Sequence, residues 1–232
     1  LEREEWQKAA GHLAFMSKVE NIYFEENPLT LLLTATSNLG QTGEMATYFK
    51  DALESGRSFS EWLNNPELYQ AARDIYDAGD ADLELIMNML RPVVSDPMIE
   101  PRHDLWENVE FWEFYIEIAS TLARQSKTQD FNLINDINRA YNLLIEIDEE
   151  RHYPYILKQA ELNQDIQNYD EAFQAYKRFL KHEPESPEIK EKMLETVKSS
   201  NTIGLRQAFF DVLLPEMKTS TVKLNTPAIT YP

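Results

Sequence analysis

Two pairs of residues in this chain have the spacing of a metal site on a helix. Glu100 lies three residues before His103, and Glu149 lies three residues before His152. On a helix this spacing presents a carboxylate and an imidazole on one side, as in carboxylate-bridged di-iron bundles. A proline lies inside the first pair, and an arginine adjoins the histidine of each pair. We therefore expect no metal and no other cofactor, with a helical ligand- or metal-binding domain or an enzyme using these Glu/His pairs as an alternative.

The chain shows no other arrangement typical of catalysis. It has no cysteine, and the stretch 40–43 has too few glycines and no Lys followed by Ser or Thr to cradle a phosphate. Carboxylates do recur at helical spacing, at Glu107, Glu110, Glu113 and Glu117. General acid–base catalysis would need such a pair to be buried, whereas this pattern is typical of a solvated helix face. The sequence thus predicts a protein that is not an enzyme.

The chain is strongly acidic, with 40 acidic residues against 22 basic ones and a net charge of −18 in 232 residues. Binding to phosphates requires clustered Lys and Arg, so nucleic acid and anionic lipid surfaces are not expected partners. The acidity either keeps the protein in solution or attracts a basic protein partner. Both interpretations stay open at this point.

Location can be predicted only from what the sequence lacks. The most apolar run, Leu29–Leu33, is far shorter than the roughly 20 residues that span a bilayer, so we expect no membrane insertion. The lack of cysteine and of a signal peptide favours a cytoplasmic protein. Because the chain starts at Leu1 and not at Met, we expect a fragment or a processed product of a longer parent.

Apolar residues recur every three or four positions along almost the whole chain, and no long stretch alternates apolar with polar residues. This pattern predicts an all-α fold. A first helix is expected over about 2–24, and a second opens at Pro28. Further short helices follow, one of them holding Phe59 and Trp62, and the last of this region is expected to stop at Pro92.

The three prolines at positions 92, 97 and 101 indicate a boundary. Longer helices follow it, over about 105–125, 130–147, 155–166, 170–182 and 186–199, and a final helix near 205–214 is expected to end at Pro215. The first of these helices is apolar on two faces, which predicts packing on both sides. The predicted organisation is an N-terminal helical subdomain 1–92, a Pro-rich connection 93–104, a helical repeat region 105–216 and an extended tail 217–232.

Residues 151–185 have small, aromatic and proline residues at the positions that a packed helix-turn-helix repeat requires. The matching residues are Ile156, Ala160, Tyr169, Ala172, Tyr176, Phe179 and Pro184. On these residues the segment resembles one tetratricopeptide repeat. Two positions depart from the pattern, because Gln159 stands where the family usually has Leu and Asn163 where it usually has a large aromatic residue.

This resemblance implies an antiparallel helix-turn-helix array, a TPR-like right-handed stack preceded by a smaller helical subdomain. One repeat cannot bury its own apolar face, so at least three stacked units are expected. The segment 106–147 fits as a degenerate helix pair, and 186–214 could be a capping pair.

The resemblance also implies a concave surface, formed by the first helix of each pair, on which a partner polypeptide docks. The chain is then a non-catalytic adaptor or scaffold domain of a larger protein or assembly. Basic residues that would clamp a partner's acidic C-terminus are missing, which favours other ligands. The partner-binding positions implied on this chain are Phe111, Tyr115, Leu157, Glu161, Gln164 and Asp165.

Each of these positions has another interpretation. The three apolar ones could belong to the core, and the three polar ones could be merely solvated. A structural self-assembly module, in which the tail from Lys218 docks on another copy, is a further alternative for the function.

Overall fold

The structure is a computed structural model that describes residues 3–16, 28–54, 65–79, 82–94, 105–126, 130–200 and 202–219. These residues form eleven helices and no strand, which confirms the predicted all-α class. The helices are α1 (Arg3–Met16), α2 (Pro28–Leu39), α3 (Thr42–Glu54), α4 (Asn65–Asp77), α5 (Leu83–Val94), α6 (Val109–Gln125), α7 (Phe131–Ile147), α8 (His152–Asp165), α9 (Tyr169–Leu180), α10 (Pro187–Ser200) and α11 (Ile203–Thr219).

The chain divides into two compact units, Leu1–Asp148 (unit 1) and Glu149–Pro232 (unit 2). This division lies later than the predicted connection 93–104, of which residues 95–104 lie outside the described residues. Helix α5 precedes that connection and α6 follows it, and the two helices pack against each other inside unit 1. Unit 1 therefore joins the predicted N-terminal subdomain to the first long helices.

The centre of unit 1 is α6, which packs against both α5 and α7. Its buried residues lie on both of the predicted apolar faces and include Phe111, Trp112, Phe114 and Tyr115. The ring of Tyr69 on α4 meets Phe111 edge to face, with 5.4 Å between the ring centroids. Burial of four aromatic side chains on one helix makes it the main apolar element of this unit.

Side-chain caps fix where three helices of unit 1 begin. The Asn108 side chain accepts a hydrogen bond from the Phe111 amide at 2.9 Å, and Asp130 accepts from the Leu133 amide at 3.2 Å. Asp82 does the same for the first turn of α5. Such caps satisfy amides that have no partner within the helix. The cap at Asn108 starts α6 four residues later than the predicted 105.

In unit 2, α9 packs against both α8 and α10, and α11 packs against α10 and α9. Ala160 and Ala172, the two small residues of the repeat pattern, are completely buried. Ile156, Tyr176 and Phe179 are also buried, whereas Tyr169 is half-buried and Pro184 is exposed. Small side chains in the interior allow the backbones of neighbouring helices to approach closely.

The turn between α8 and α9 is held by a Schellman motif. The amide of Asn168 donates to the carbonyl of Asn163 at 2.7 Å, and the amide of Gln167 donates to the carbonyl of Gln164 at 3.1 Å. Gln167 lies between them with φ of 62°, a left-handed conformation that normally favours glycine. A non-glycine residue therefore stores strain at this turn.

Two helix ends predicted from proline are wrong. Helix α5 continues past Pro92 to Val94, and α11 continues past Pro215 to Thr219. A proline already has a helical φ and removes one hydrogen bond, so packing of later residues can outweigh its cost. The buried Val94 is such a residue in α5. The first three residues of the predicted tail, 217–219, are helical, and residues 220–232 lie outside the described part of the chain. The later part of the predicted first helix, 17–27, and the predicted short helix with Phe59 and Trp62 lie outside it as well.

Candidate partner-binding face

Helices α8 and α10 are joined side by side by an ion pair. Glu161 on α8 accepts from the Nζ of Lys192 on α10 at 2.7 Å, and Glu188, one turn earlier on α10, lies 3.2 Å from the same Nζ. The Lys192 side chain is 27% exposed, so it is partly sheltered between its two carboxylates. The hydrogen bonds to Glu161 and Glu188 raise the pKa of Lys192 above its usual value, which keeps this bridge charged.

A second bridge runs beside the first, through the amide of Gln164. Its Oε1 accepts from the hydroxyl of Tyr176 on α9 at 2.9 Å and from the hydroxyl of Thr196 on α10 at 3.1 Å. Thr196 is completely buried and also lies 2.8 Å from the carbonyl of Lys192. One amide oxygen thus links three helices of unit 2.

Burial, together with nearby carboxylates, raises the pKa of Tyr176 to about 12, although Lys192 lowers it. The hydroxyl consequently keeps its proton and remains a donor to Gln164 at neutral pH. The carboxylates that act on it are Glu161, Asp165 and Glu195. They come from both α8 and α10, so the negative charges of the two helices lie around one point.

We call this surface the α8–α10 face. Its members are Leu157, Glu161, Gln164, Asp165, Glu188, Lys192, Glu195 and Thr196. Asp165, Glu188 and Glu195 are exposed there. With one lysine among four carboxylates, the face suits the ammonium and guanidinium groups of a basic ligand.

The four predicted binding residues of α8 lie within about 100° of arc on one side of the helix, as the helical repeat requires. Leu157 is half-buried and Asp165 is exposed. Glu161 and Gln164 are not merely solvated, because they form the two bridges to α10. Two of the four predicted positions therefore link α8 to α10 as well as lining the face.

Phe111 and Tyr115 lie elsewhere, in unit 1, and are completely buried. Their rings pack against each other with 6.4 Å between centroids. Burial of both side chains fits the core interpretation that the apolar pattern also allowed.

The residues of α10 are the part of the face that sequence reasoning missed. Glu188, Lys192 and Thr196 follow each other at intervals of four, which places them on one side of a helix. This spacing could have been read from the sequence. Their partners on α8 could not, because only the fold brings α8 and α10 together.

The two departures from the repeat pattern form a buried polar network. Asn163 is completely buried; its Nδ2 donates to the carbonyl of Gln159 at 2.8 Å, and its Oδ1 accepts from Asn168 Nδ2 at 2.8 Å. The Gln159 side chain accepts from Arg178 on α9. The two amides are accommodated here because each of them finds hydrogen-bond partners in the interior.

The Glu149 and His152 pair does not form a carboxylate–imidazole site. The Nδ1 of His152 lies 2.9 Å from the backbone carbonyl of Glu149 and donates to it, since a carbonyl only accepts. The ring of Tyr153 contacts both His152 and His182, with centroids 3.6 and 3.4 Å apart. Within the described ranges no group of three or more metal-ligating side chains occurs, and the pair at 100 and 103 lies outside them.

Unit 1 has its own charged cluster around Asp136 on α7. Burial raises the pKa of this carboxyl above its usual range, while Arg91 and Arg139 oppose that effect. Burial, assisted by the charge of Asp136, also raises the pKa of the Tyr115 hydroxyl. Arg91 reaches Asp130 at 3.9 Å. These groups connect α5, α6 and α7, and we interpret them as structural.

Unit 1 also contains an open groove of about 460 Å³. Its wall includes Lys50 and Asp82, whose charged atoms are 4.0 Å apart. No histidine lines it, so it is not the shielded His–carboxylate pocket that an enzyme using the Glu/His pairs would need. The other lining residues are Thr42, Gly43, Ala46, Thr47, Ile75, Ala78, Gly79 and Leu85.

Comparison with known proteins gave no match to a family model and none to a curated sequence. Among the described helices, none combines the length and the apolar character needed to cross a membrane.

Proposed function

We propose that this chain is a non-catalytic protein–protein interaction domain that binds a basic polypeptide along the α8–α10 face. The observation that carries the proposal is the pair of bridges, Glu161 to Lys192 and Gln164 to Thr196, which hold two helices side by side under a row of carboxylates. Side chains that such bridges already order lose less conformational freedom when a ligand binds. Its charge favours lysine and arginine side chains over phosphates.

The packing order of unit 2 supports a repeat-like stack. In a stack of helix pairs, the second helix of a pair packs against two helices. These are the first helix of its own pair and the first helix of the next pair. Helix α9 has this relation to α8 and α10, and the small residues Ala160 and Ala172 are buried as the pattern requires. We therefore retain a TPR-like, right-handed stack as our proposal for unit 2, with α8 and α10 as the inner helices.

Affinity capture from native lysate tests the proposal. The full chain is immobilised as wild type, as Asp165→Lys/Glu195→Lys, and as the control Glu183→Lys, which changes an exposed charge in the α9–α10 turn. We expect wild type and control to retain the same polypeptides, and the double variant to lose them. Release by about 0.5 M salt is expected because exposed charges are screened at that ionic strength.

Two results would contradict the proposal. One is recovery of the same polypeptides by the double variant, which would place binding elsewhere on the chain. The other is capture of a metal or a small molecule in place of protein, measured by elemental analysis and mass spectrometry of the eluate. Circular dichroism of each variant verifies that the helices remain folded.

A further inference from the structure

Helix α11 has apolar side chains on two opposite faces. On the inner face Leu205 and Phe209 are 5% and 7% exposed, and α11 packs there against α10 and α9. On the outer face Ile203 is 80% exposed and Phe210 is 61% exposed. Two large apolar side chains exposed on the same face of a helix indicate a docking surface.

The spacing of the outer residues is that of a coiled-coil seam. Ile203, Gln207 and Phe210 are separated by four and then three residues, and all three are exposed. They correspond to positions d, a and d of a heptad. Gln207 occupies position a between these two apolar residues, where a polar side chain favours a defined register at a cost in stability. The seam is therefore suited to another helix that carries the same pattern.

The charges beside the seam are complementary to a second copy of it. Arg206 lies on one flank of the seam at position g, and Asp211 lies on the other flank at position e. In a parallel pair of helices, each g residue faces the e residue five positions later in the partner. Two Arg206–Asp211 pairs would then form, one on each side of the seam.

The charge of unit 2 also permits two copies to approach. Residues 149–232 contain 13 acidic and 11 basic residues, a net charge of −2, whereas residues 1–148 contain 27 and 11, a net charge of −16. Repulsion between copies is consequently weakest at unit 2. From the seam, the flanking charges and this low net charge, we infer that α11 pairs in parallel with α11 of a second copy of this chain.

Sedimentation equilibrium of the full chain over a range of concentrations tests the pairing. The apparent mass of the wild type is expected to rise with concentration from 27.1 kDa toward about twice that mass. Arg206→Glu and Asp211→Arg each create two like-charge pairs and should weaken association about tenfold. The double variant Arg206→Glu/Asp211→Arg restores two attractive pairs and should recover the wild-type value. The control Lys181→Glu, at the exposed residue that follows α9, should not change it.

A wild type that stays at 27.1 kDa at every concentration overturns the inference, as does association that survives Ile203→Ser/Phe210→Ser. Failure of the double charge variant to recover would overturn the parallel register. If Val222→Ser/Leu224→Ser turns a monomeric wild type into a dimer, the C-terminal segment of the same chain competes for the seam, and the inferred pairing of two wild-type chains is overturned.

Discussion

Unit 1 and unit 2 are both built from helices, but the polar groups that link helices are more deeply buried in unit 2, where Asn163 and Thr196 are completely buried, than in unit 1, where Asp136 is half-buried. In unit 1 the central α6 buries aromatic rings, among them Phe111 and Trp112, against the helices around it. In unit 2 the helices are also linked through polar groups, with Asn163, Gln164 and Lys192 at the joints. An apolar core tolerates many helix arrangements, whereas hydrogen bonds fix a particular spacing. For this reason we propose unit 2 as the platform that recognises another chain.

The two units differ in charge as well. Unit 1 carries a net charge of −16 and unit 2 only −2. The acidity that dominates the composition therefore does not locate the binding face. What distinguishes the α8–α10 face is the arrangement of Asp165, Glu188 and Glu195 around two fixed helices. We expect the total charge to disfavour polyanions, whereas the proposed partner recognition depends on local geometry.

The largest effect should come from the aromatic core of unit 1. Phe111→Ala removes a completely buried ring and is expected to lower the free energy of unfolding by about 3–5 kcal/mol. Denaturant unfolding gives this value, and hydrogen exchange shows where the loss occurs. Protection should fall in α5, α6 and α7 while α8 and α9 keep theirs. A loss below about 1 kcal/mol would mean that the ring is not in a packed core.

A smaller loss is expected at the polar joint of unit 2. Asn163→Ala removes a completely buried amide and leaves the half-buried Asn168 amide without its acceptor, which should cost about 2 kcal/mol. Gln174→Ala, which truncates an exposed amide on α9, is the matched control and should change little. Equal unfolding free energies for the two variants would show that the buried network contributes nothing. Thermal and denaturant unfolding of both variants make this comparison.

A stabilising substitution is expected at the turn of the same helix pair. Gln167→Gly relieves the left-handed strain at φ of 62° and should raise the free energy of unfolding by about 0.5–1 kcal/mol, after allowance for the added freedom of the unfolded chain. Gln174→Gly, in the interior of α9, should have the opposite sign and cost about 1 kcal/mol. If Gln167→Gly destabilises unit 2, the left-handed turn is not present in solution.

The smallest effect concerns pH and the Asp136 cluster. Burial raises the pKa of this carboxyl above its ordinary value of 3.8, so the folded protein binds the proton more tightly than the unfolded chain does. The resulting stability is present at low pH and is lost as pH rises through the raised pKa. Asp136→Asn should therefore gain stability relative to wild type between pH 3.8 and neutrality.

Denaturant unfolding at several pH values measures that difference. The control is Asp170→Asn, the same substitution at an exposed position, and the gain of Asp136→Asn is measured against it. A constant difference between Asp136→Asn and wild type across this range would mean that the carboxyl is not buried in the folded protein.

Local patterns predicted much of the fold from sequence. Helical periodicity gave the all-α class and the positions of α6 to α10, and the small residues Ala160 and Ala172 are buried as their pattern predicts. Proline was the least reliable signal, because Pro92 and Pro215 lie inside helices that continue past them. Whether a helix ends at a proline depends on what the following residues gain by packing, and a local pattern does not contain that.

The candidate face was only half predictable. The face of α8 follows from helical spacing, so Leu157, Glu161, Gln164 and Asp165 could be named from the sequence. The bridges to Lys192 and Thr196 span about 30 residues of chain, and their existence depends on α9 placing the two helices side by side. For Phe111 and Tyr115, an apolar pattern alone did not separate core from surface.

Hydrogen–deuterium exchange of the full chain, with and without the polypeptide that it captures, tests the central claim most directly. The account predicts that binding slows exchange in α8 and α10 and leaves α6 and α7 unchanged, and that Asp165→Lys/Glu195→Lys abolishes this protection. Slower exchange in α6 or α7, with α8 and α10 unaffected, would contradict it.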